Sequence, residues 1–439
     1  MSSLKIPKRI SSAILNSLQS GVVPRIGLEY FAVGRKRETA LLLRDLENLA
    51  QGGSTFRLIV GRYGSGKSFL LNLLRNLALD QGFVVVDCDL SLEKRLTGSN
   101  REGLNAYREL VQSLSVSTRP EGGALAVILE KWISQLQAEV AQKSQLEPDD
   151  PRFQELVKKM VIEAVSQMEG MVHGFDFASV INAYWRGYLT DNEELKTNSL
   201  RWLRGEYDYR SQAREALGVR VIVDDNSWYD YLKLLGQFGA KIGYKGLIVL
   251  LDEAGNLYKI SNSISRLNNY ERLLSIFNDT TQGRASSFGV FMTGPPQFLE
   301  DSRRGLYSYE ALRSRLADTR ILSSELISAT GPVIRLQVLT PEEIFVLLTR
   351  VQDIYASHYD LTTLLENSEL EGFLNEVANR LGAKEFLTPR EVVRDFLALL
   401  DTLRLNPELK FSQIIRSSEF KPSRQEAEES HDGLTDINL

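Results

Sequence analysis

The sequence predicts an α/β protein built on a parallel sheet, and two stretches carry that prediction. The first, "LIVGRYGSGKSFLLNLL" (58–74), passes from an apolar run through three glycines and a lysine into leucines at helical spacing. The second, "YKGLIVLLDEAGNL" (244–257), is a continuous apolar run ending in two acids, the pattern of a parallel strand buried on both faces.

The remaining elements follow in order. Residues 10–20 and 36–50 have helical periodicity and flank an irregular segment, "GVVPRIGLEYFAVGRKRE". "GFVVVDCDLS" (82–91) is a second buried strand that ends in acids and a serine. From 103 to 240 the periodicity is helical, with turns near "RPEGG" (119–123) and "LEPDDP" (146–151). That length is too great for a loop in a compact domain and predicts a helical insertion. "FGVFMTGPP" (288–296) is a strand ending at Thr293 and broken by Gly294-Pro295-Pro296. "PVIRLQVLTPEEI" (332–344) gives a last strand and a helix capped by Thr340, with Pro341 at its first position. The expected organisation is therefore N-terminal helices over 1–55, a sheet core over 56–102 and 241–340, the insertion over 103–240, a helical domain over 341–420, and a mobile acidic tail over 421–439.

Composition narrows the function classes. The chain has 439 residues, 43% apolar and 25% charged, with a net charge of −5, which argues against a uniformly basic nucleic-acid binder but not against a local basic surface. No run approaches the length of a membrane helix, and the basic N-terminus lacks an apolar signal core, so a cytoplasmic protein without membrane contact is expected. One cysteine, Cys88, and three histidines offer no zinc-type ligand cluster. The expected metal is one that arrives with a ligand.

Gly61 to Ser68 reads G-x-x-x-x-G-K-S, a phosphate-binding loop. Backbone N–H groups from Tyr63 through Gly64, Ser65, Gly66 and Lys67 to Ser68 would form an anion nest at a helix N-terminus that continues into Phe69. Lys67 would reach the β- and γ-phosphates, and the Ser68 hydroxyl would ligate Mg²⁺. Asp252, at the carboxyl edge of its strand, would orient the same ion, and Glu253 would polarise the attacking water. Thr293 could hold that water or merely cap the turn before Gly-Pro-Pro.

These pieces in this order resemble an AAA+ P-loop ATPase: "VGR" (33–35), "GRYGSGKS" (61–68), "LIVLLDE" (247–253), "FMTG" (291–294), "ALRSRL" (311–316) and "LTPRE" (387–391). The branch most similar is that of origin-recognition and helicase-loader proteins. More narrowly, "LNSLQSGVVPRIGLEYFAVGRKRE" together with "WYDYLKLL" and "YKGLIVLLDEAGNLYK" resembles the ATP-binding proteins of BREX-type phage-defence loci. The resemblance implies ATP and Mg²⁺ as cofactors, ATP hydrolysis, a homo-oligomer, and DNA, a helicase or other defence proteins as partners. The rival reading is an ATP-bound scaffold with little turnover. By position, the resemblance assigns Val33, Gly34 and Arg35 to the adenine side and Thr293 to sensor 1. It assigns Arg390 to sensor 2, on a C-terminal helical lid, and Arg313 or Arg315 to an arginine finger. The insertion departs from the usual pattern and leaves the substrate-engaging element open.

Two further segments have weaker signals. "INAYWRGYLTDNEELKTNSLRWLRGEYDYR" (181–210) mixes aromatics with arginines, as a base-stacking surface does. Tyr184, Trp185 and Tyr188 at helical spacings nonetheless predict core or interface positions. Lys94 and Arg95 in "DLSLEKRLTGSN" (89–100) read as solvated charges or as contacts to DNA or a neighbouring subunit.

Overall fold

The computed structural model describes residues 5–147, 150–166, 171–317, 331–361, 364–381 and 388–415. The acidic tail and Leu387 of "LTPRE" lie outside them. Helices α1 (Lys8–Gln19) and α2 (Lys36–Ala50) precede strand β1 (Ser54–Val60), followed by α3 (Lys67–Asp80) and β2 (Val84–Asp89). Helices α4 (Glu102–Gln112), α5 (Leu125–Ser144), α6 (Pro151–Ser166), α7 (Gly174–Leu189), α8 (Glu193–Leu203), α9 (Arg210–Leu217) and α10 (Trp228–Lys241) then fill the predicted insertion. Strand β3 (Leu247–Asp252), α11 (Gly255–Tyr258), α12 (Ser263–Thr281), β4 (Phe288–Gly294), α13 (Pro296–Glu300), α14 (Glu310–Leu316) and β5 (Val333–Arg335) come next. The chain continues through α15 (Pro341–Tyr359), α16 (Asn367–Leu381), α17 (Pro389–Leu405) and α18 (Phe411–Ile415). No helix among the described residues is long and apolar enough to cross a membrane.

The sheet order is β2-β3-β4-β1-β5, and every pairing is parallel. From β1 the chain crosses to the far edge strand β2, whereas from β4 it passes to the other side of β1. The direction of winding reverses at β1, and the carboxyl edge of a strand at such a reversal is where α/β sheets bind ligands. The register brings Val60 opposite Gly294 and Arg335, Leu251 opposite Met292, and Asp89 opposite Asp252.

Strand periodicity sorts side chains between two cores. Ile59, Val85, Ile248, Leu250, Phe291 and Ile334 pack with Leu42 and Leu46 of α2 and Leu70 and Leu74 of α3. Phe56, Leu58, Val86, Val249 and Leu251 face the other side, in a core that runs without a break into Trp132, Phe177, Tyr184, Trp202 and Trp228 of the insertion. Tyr184, Trp185, Trp202 and Tyr207 are buried there, as helical spacing predicts for the first two, whereas Tyr188 and Tyr209 are exposed. Lys94 and Arg95 are half-buried and paired within the chain: Lys94 pairs with Glu109 at 2.5 Å, and Arg95 with Glu102 at 3.6 Å. The loop that carries them is pinned by Asn269, wholly buried, whose Oδ1 accepts the Leu96 and Thr97 N–H groups.

The chain divides into two compact units. One comprises 36–62 and 70–336, and the other comprises the described residues of 1–35, 63–69 and 337–439. In the second, α1 packs on α15 and α17 through Ser11–His358 (2.9 Å), Gln19–Asp401 (2.8 Å) and Lys8–Asp360 (2.6 Å). Thr340 and Glu343 form a reciprocal capping box at the start of α15, and Pro341 occupies the first turn as expected.

Within the first unit, Arg57 of β1 reaches both oxygens of Asp45 on α2 at 2.7 Å, and both residues are buried. This fork fixes the helix to the strand that feeds the phosphate loop. Removing one partner strands the other charge in the interior, so Asp45→Ala should destabilise the chain by ~3–5 kcal/mol. A denaturant midpoint within error of wild type would show that the pair contributes nothing.

Candidate nucleotide-binding site

Residues 61–66 connect β1 to α3. Gly61 N–H donates to Gly294 O at 3.2 Å, tying the start of the loop to the end of β4. Beyond it, Gly64 (φ +73°) and Gly66 (φ +90°) adopt left-handed backbone that side chains disfavour. A Cβ on Gly64 would also lie 2.7 Å from Thr388 Cβ. Arg35 braces the loop from below: its Nη2 donates to Ser65 O at 2.6 Å and to Gln337 O at 2.9 Å. The resemblance assigns Arg35 to the adenine side, and its bonds here are to backbone of the loop and of the segment before α15. Gly34 is left-handed beside Glu343, Val33 is half-buried, and Phe69 meets Phe31 edge-on at 5.5 Å. Arg390, in the first turn of α17, donates to the Tyr63 hydroxyl and lies 4.9 Å from that ring's centroid.

In the sheet unit, Thr293 is fully buried and its hydroxyl donates to Asp252 Oδ1. The same oxygen accepts the Glu253 N–H at 2.8 Å. Glu253 itself is exposed and left-handed at φ +55°, a strained conformation for a residue with a side chain and one that clusters at functional sites. Ala254 N–H returns to Thr293 O at 3.0 Å, so the acidic pair and the β4 edge hold each other reciprocally. Arg313 and Arg315 lie on α14. Arg313 is exposed and, among the described residues, pairs with Glu310 alone, at 3.8 Å. Arg315 is engaged by Asn278 Oδ1 at 3.1 Å and Ala311 O at 2.8 Å.

Sequence reasoning passed over Asp89 as a site residue. It ends β2 directly opposite Asp252, and burial, then the Asp252 charge, raise its carboxyl above the usual range. The signal was an acid closing each of two apolar strands; adjacency of those strands is not readable from one segment.

The donors of the loop fit the phosphates of a nucleotide. Ser65 is 2% exposed and its Oγ has no hydrogen-bond partner in the protein, a buried polar atom in a loop of glycines and N–H groups. Among the described residues no cluster of three acids, histidines or cysteines could hold a metal unaided. Asp252 has its Oδ1 engaged by Thr293 and by the Glu253 N–H, and Mg²⁺ characteristically takes most of its ligands from phosphates and water.

A phosphate loop on the switch-point strand of a five-stranded parallel sheet, with an acidic pair closing a nearby strand, defines a P-loop nucleotide-binding protein. Comparison narrows the class: the sequence model of the BREX system ATP-binding protein family BrxC/D matches residues 6–419. The chain belongs to that family, and its role is ATP binding within a phage-defence system. Comparison with curated proteins gives no match.

Lys67→Ala should abolish ATP binding measured by calorimetry, because it removes the charge that a phosphate loop directs at the β- and γ-phosphates. ATP affinity equal to wild type would remove the loop from the nucleotide site.

Proposed function

We propose that the chain is a Mg²⁺-dependent ATPase of AAA+ type, whose turnover drives conformational change in the defence assembly and acts on DNA or a helicase partner. The observation that carries hydrolysis, beyond binding, is the acidic pair: Asp252 is fixed by two donors while Glu253 is exposed beside it. A scaffold that only holds ATP has no use for a strained, exposed carboxylate next to a metal-orienting one.

In this reading Lys67 and the 63–68 N–H groups bind the phosphates, and Ser68 and Asp252 hold the metal. When bound, Mg²⁺ supplies positive charge at the β- and γ-phosphates. Thr293 keeps Asp252 in one orientation, and Glu253 takes the proton from the attacking water. The first unit and the helices of 341–415 act as core and lid. Arg390 serves as the lid's phosphate-sensing arginine, its guanidinium released from Tyr63.

Glu253→Gln should bind ATP and Mg²⁺ normally and lose turnover on the order of 10²-fold or more. Turnover at the wild-type rate would move the base elsewhere and favour the scaffold reading.

We assign the finger to Arg313, because Arg315 is already committed to Asn278 and Ala311 while Arg313 has, among the described residues, a single long, exposed contact worth little. Acting in trans in a homo-oligomer, a guanidinium at the γ-phosphate is worth roughly 10³-fold or more in rate. Arg313→Ala should be nearly inactive, and mixing it with Glu253→Gln should restore part of the activity through sites that combine an intact base with an intact neighbour's finger. Full activity of the Arg313 variant alone, or no rescue on mixing, would overturn the assignment.

A further inference from the structure

Four cations collect in the sheet unit where α11 gives way to α12 and where α13 runs into the turn 301–305. Arg266 Nη1 donates to Ile260 O at 2.6 Å, and Arg304 Nη2 donates to the same carbonyl at 3.4 Å and to Tyr258 O at 3.3 Å. The Arg304 guanidinium lies 5.3 Å from the Tyr258 ring centroid. Lys259 and Arg303, the chain neighbours of these groups, are both exposed. The turn is held by Tyr270 Oη, which donates to Arg304 O at 2.6 Å, and by Tyr258 Oη, which donates to Asp301 Oδ2 at 2.8 Å.

The charge of this group is not balanced. Among the described residues none of Lys259, Arg266, Arg303 and Arg304 forms an ion pair, whereas Lys94, Arg101, Arg108 and Lys233 of the same unit all do. Asp301 is the acid inside the group, and its oxygens are already taken by the N–H groups of Arg303 (2.7 Å) and Arg304 (3.1 Å) and by Tyr258. Those bonds hold its carboxyl below the usual range, so it stays ionised and offsets one of the four charges. In a chain of net charge −5, a cationic group with no ion pair among the described residues is self-repelling unless a polyanion covers it.

We propose that this surface binds the phosphodiester backbone of a nucleic acid without reading its sequence. The two arginines are oriented by backbone carbonyls, and a guanidinium fork is the geometry that phosphate oxygens accept. Exposed Ser261, Ser263 and Ser302 add hydroxyls, completing the mixture of cations and small donors that contacts phosphates. The Tyr258 ring is covered by Arg304, so bases find no stacking platform there. An acidic protein fits less well, because protein interfaces centre on apolar groups and deplete charge, and this group centres on charge. Lys259 ends the short segment that begins at Glu253, so backbone contact here would bear on the catalytic carboxylate. That coupling, unlike the binding itself, rests on the ATPase reading.

The test is fluorescence anisotropy of the full chain with labelled duplexes of two unrelated sequences, without nucleotide, over a range of KCl. Wild type should bind both alike. Lys259→Ala/Arg303→Ala removes two side chains that donate no hydrogen bond among the described residues, so the fold should persist. It should bind both duplexes more weakly, with the slope of log K against log salt shallower by about two. Unchanged affinity and slope, or no binding by wild type, would overturn the proposal. So would polyglutamate binding that the variant loses while duplex binding persists, which would identify an acidic protein as the partner. Lys67→Ala should keep its duplex binding, so failure of the ATPase reading would not be mistaken for failure of this one.

Discussion

One oxygen of Asp252 organises the carboxyl edge of the sheet. It accepts the Thr293 hydroxyl from β4 and the Glu253 N–H from its own chain, and only the parallel register of β3 and β4 brings these groups together. That register is over-determined. Both faces of β3 are buried, so a slip by one residue would exchange the leucines and valines of one core for those of the other. Packing on the two faces thereby sets the direction in which a carboxylate points. Thr293, wholly buried, needs a partner for its hydroxyl, and Asp252 supplies it.

The same sheet explains why the phosphate loop sits where it does. β1 is the strand at which the winding reverses, flanked by β4 and β5, and the carboxyl end of such a strand is where α/β sheets take ligands. The loop leaves from there, hydrogen-bonded at Gly61 to the residue that follows Thr293. The helices of the insertion do not form a separate body; their aromatics extend the core on one face of the sheet. Through Asn269, Trp228 and Asp225 they also hold the loop that follows β2: Trp228 Nε1 donates to Leu96 O at 3.0 Å, and Asp225 accepts the Gly98 and Gly103 N–H groups at 2.8 and 2.6 Å.

Much of this was legible in the sequence because its signals are local. Continuous apolar runs located β1 to β4, and Thr340-Pro341 located the start of α15. The phosphate loop concentrates its chemistry in eight consecutive residues, Gly61 to Ser68. What was not legible is assembled from distant segments. Nothing near α1 announces that it packs on α15 and α17, and Asp89 becomes part of the acidic edge only through the pairing of β2 with β3. The Lys259–Arg304 group draws on three elements, none basic enough alone to stand out. Lys94 and Arg95 misled in the opposite sense, since their carboxylate partners, Glu109 and Glu102, lie a turn or more downstream.

The central claim is that the Thr293 hydroxyl acts by orienting Asp252. Thr293→Val keeps the shape of this buried side chain and deletes only the donor. The decisive measurement is the Mg²⁺ dependence of ATP turnover in that variant. The account predicts that half-maximal rate requires substantially more Mg²⁺ than in wild type, with ATP binding in the absence of metal unaltered. A Mg²⁺ dependence and maximal rate superimposable on wild type would contradict it.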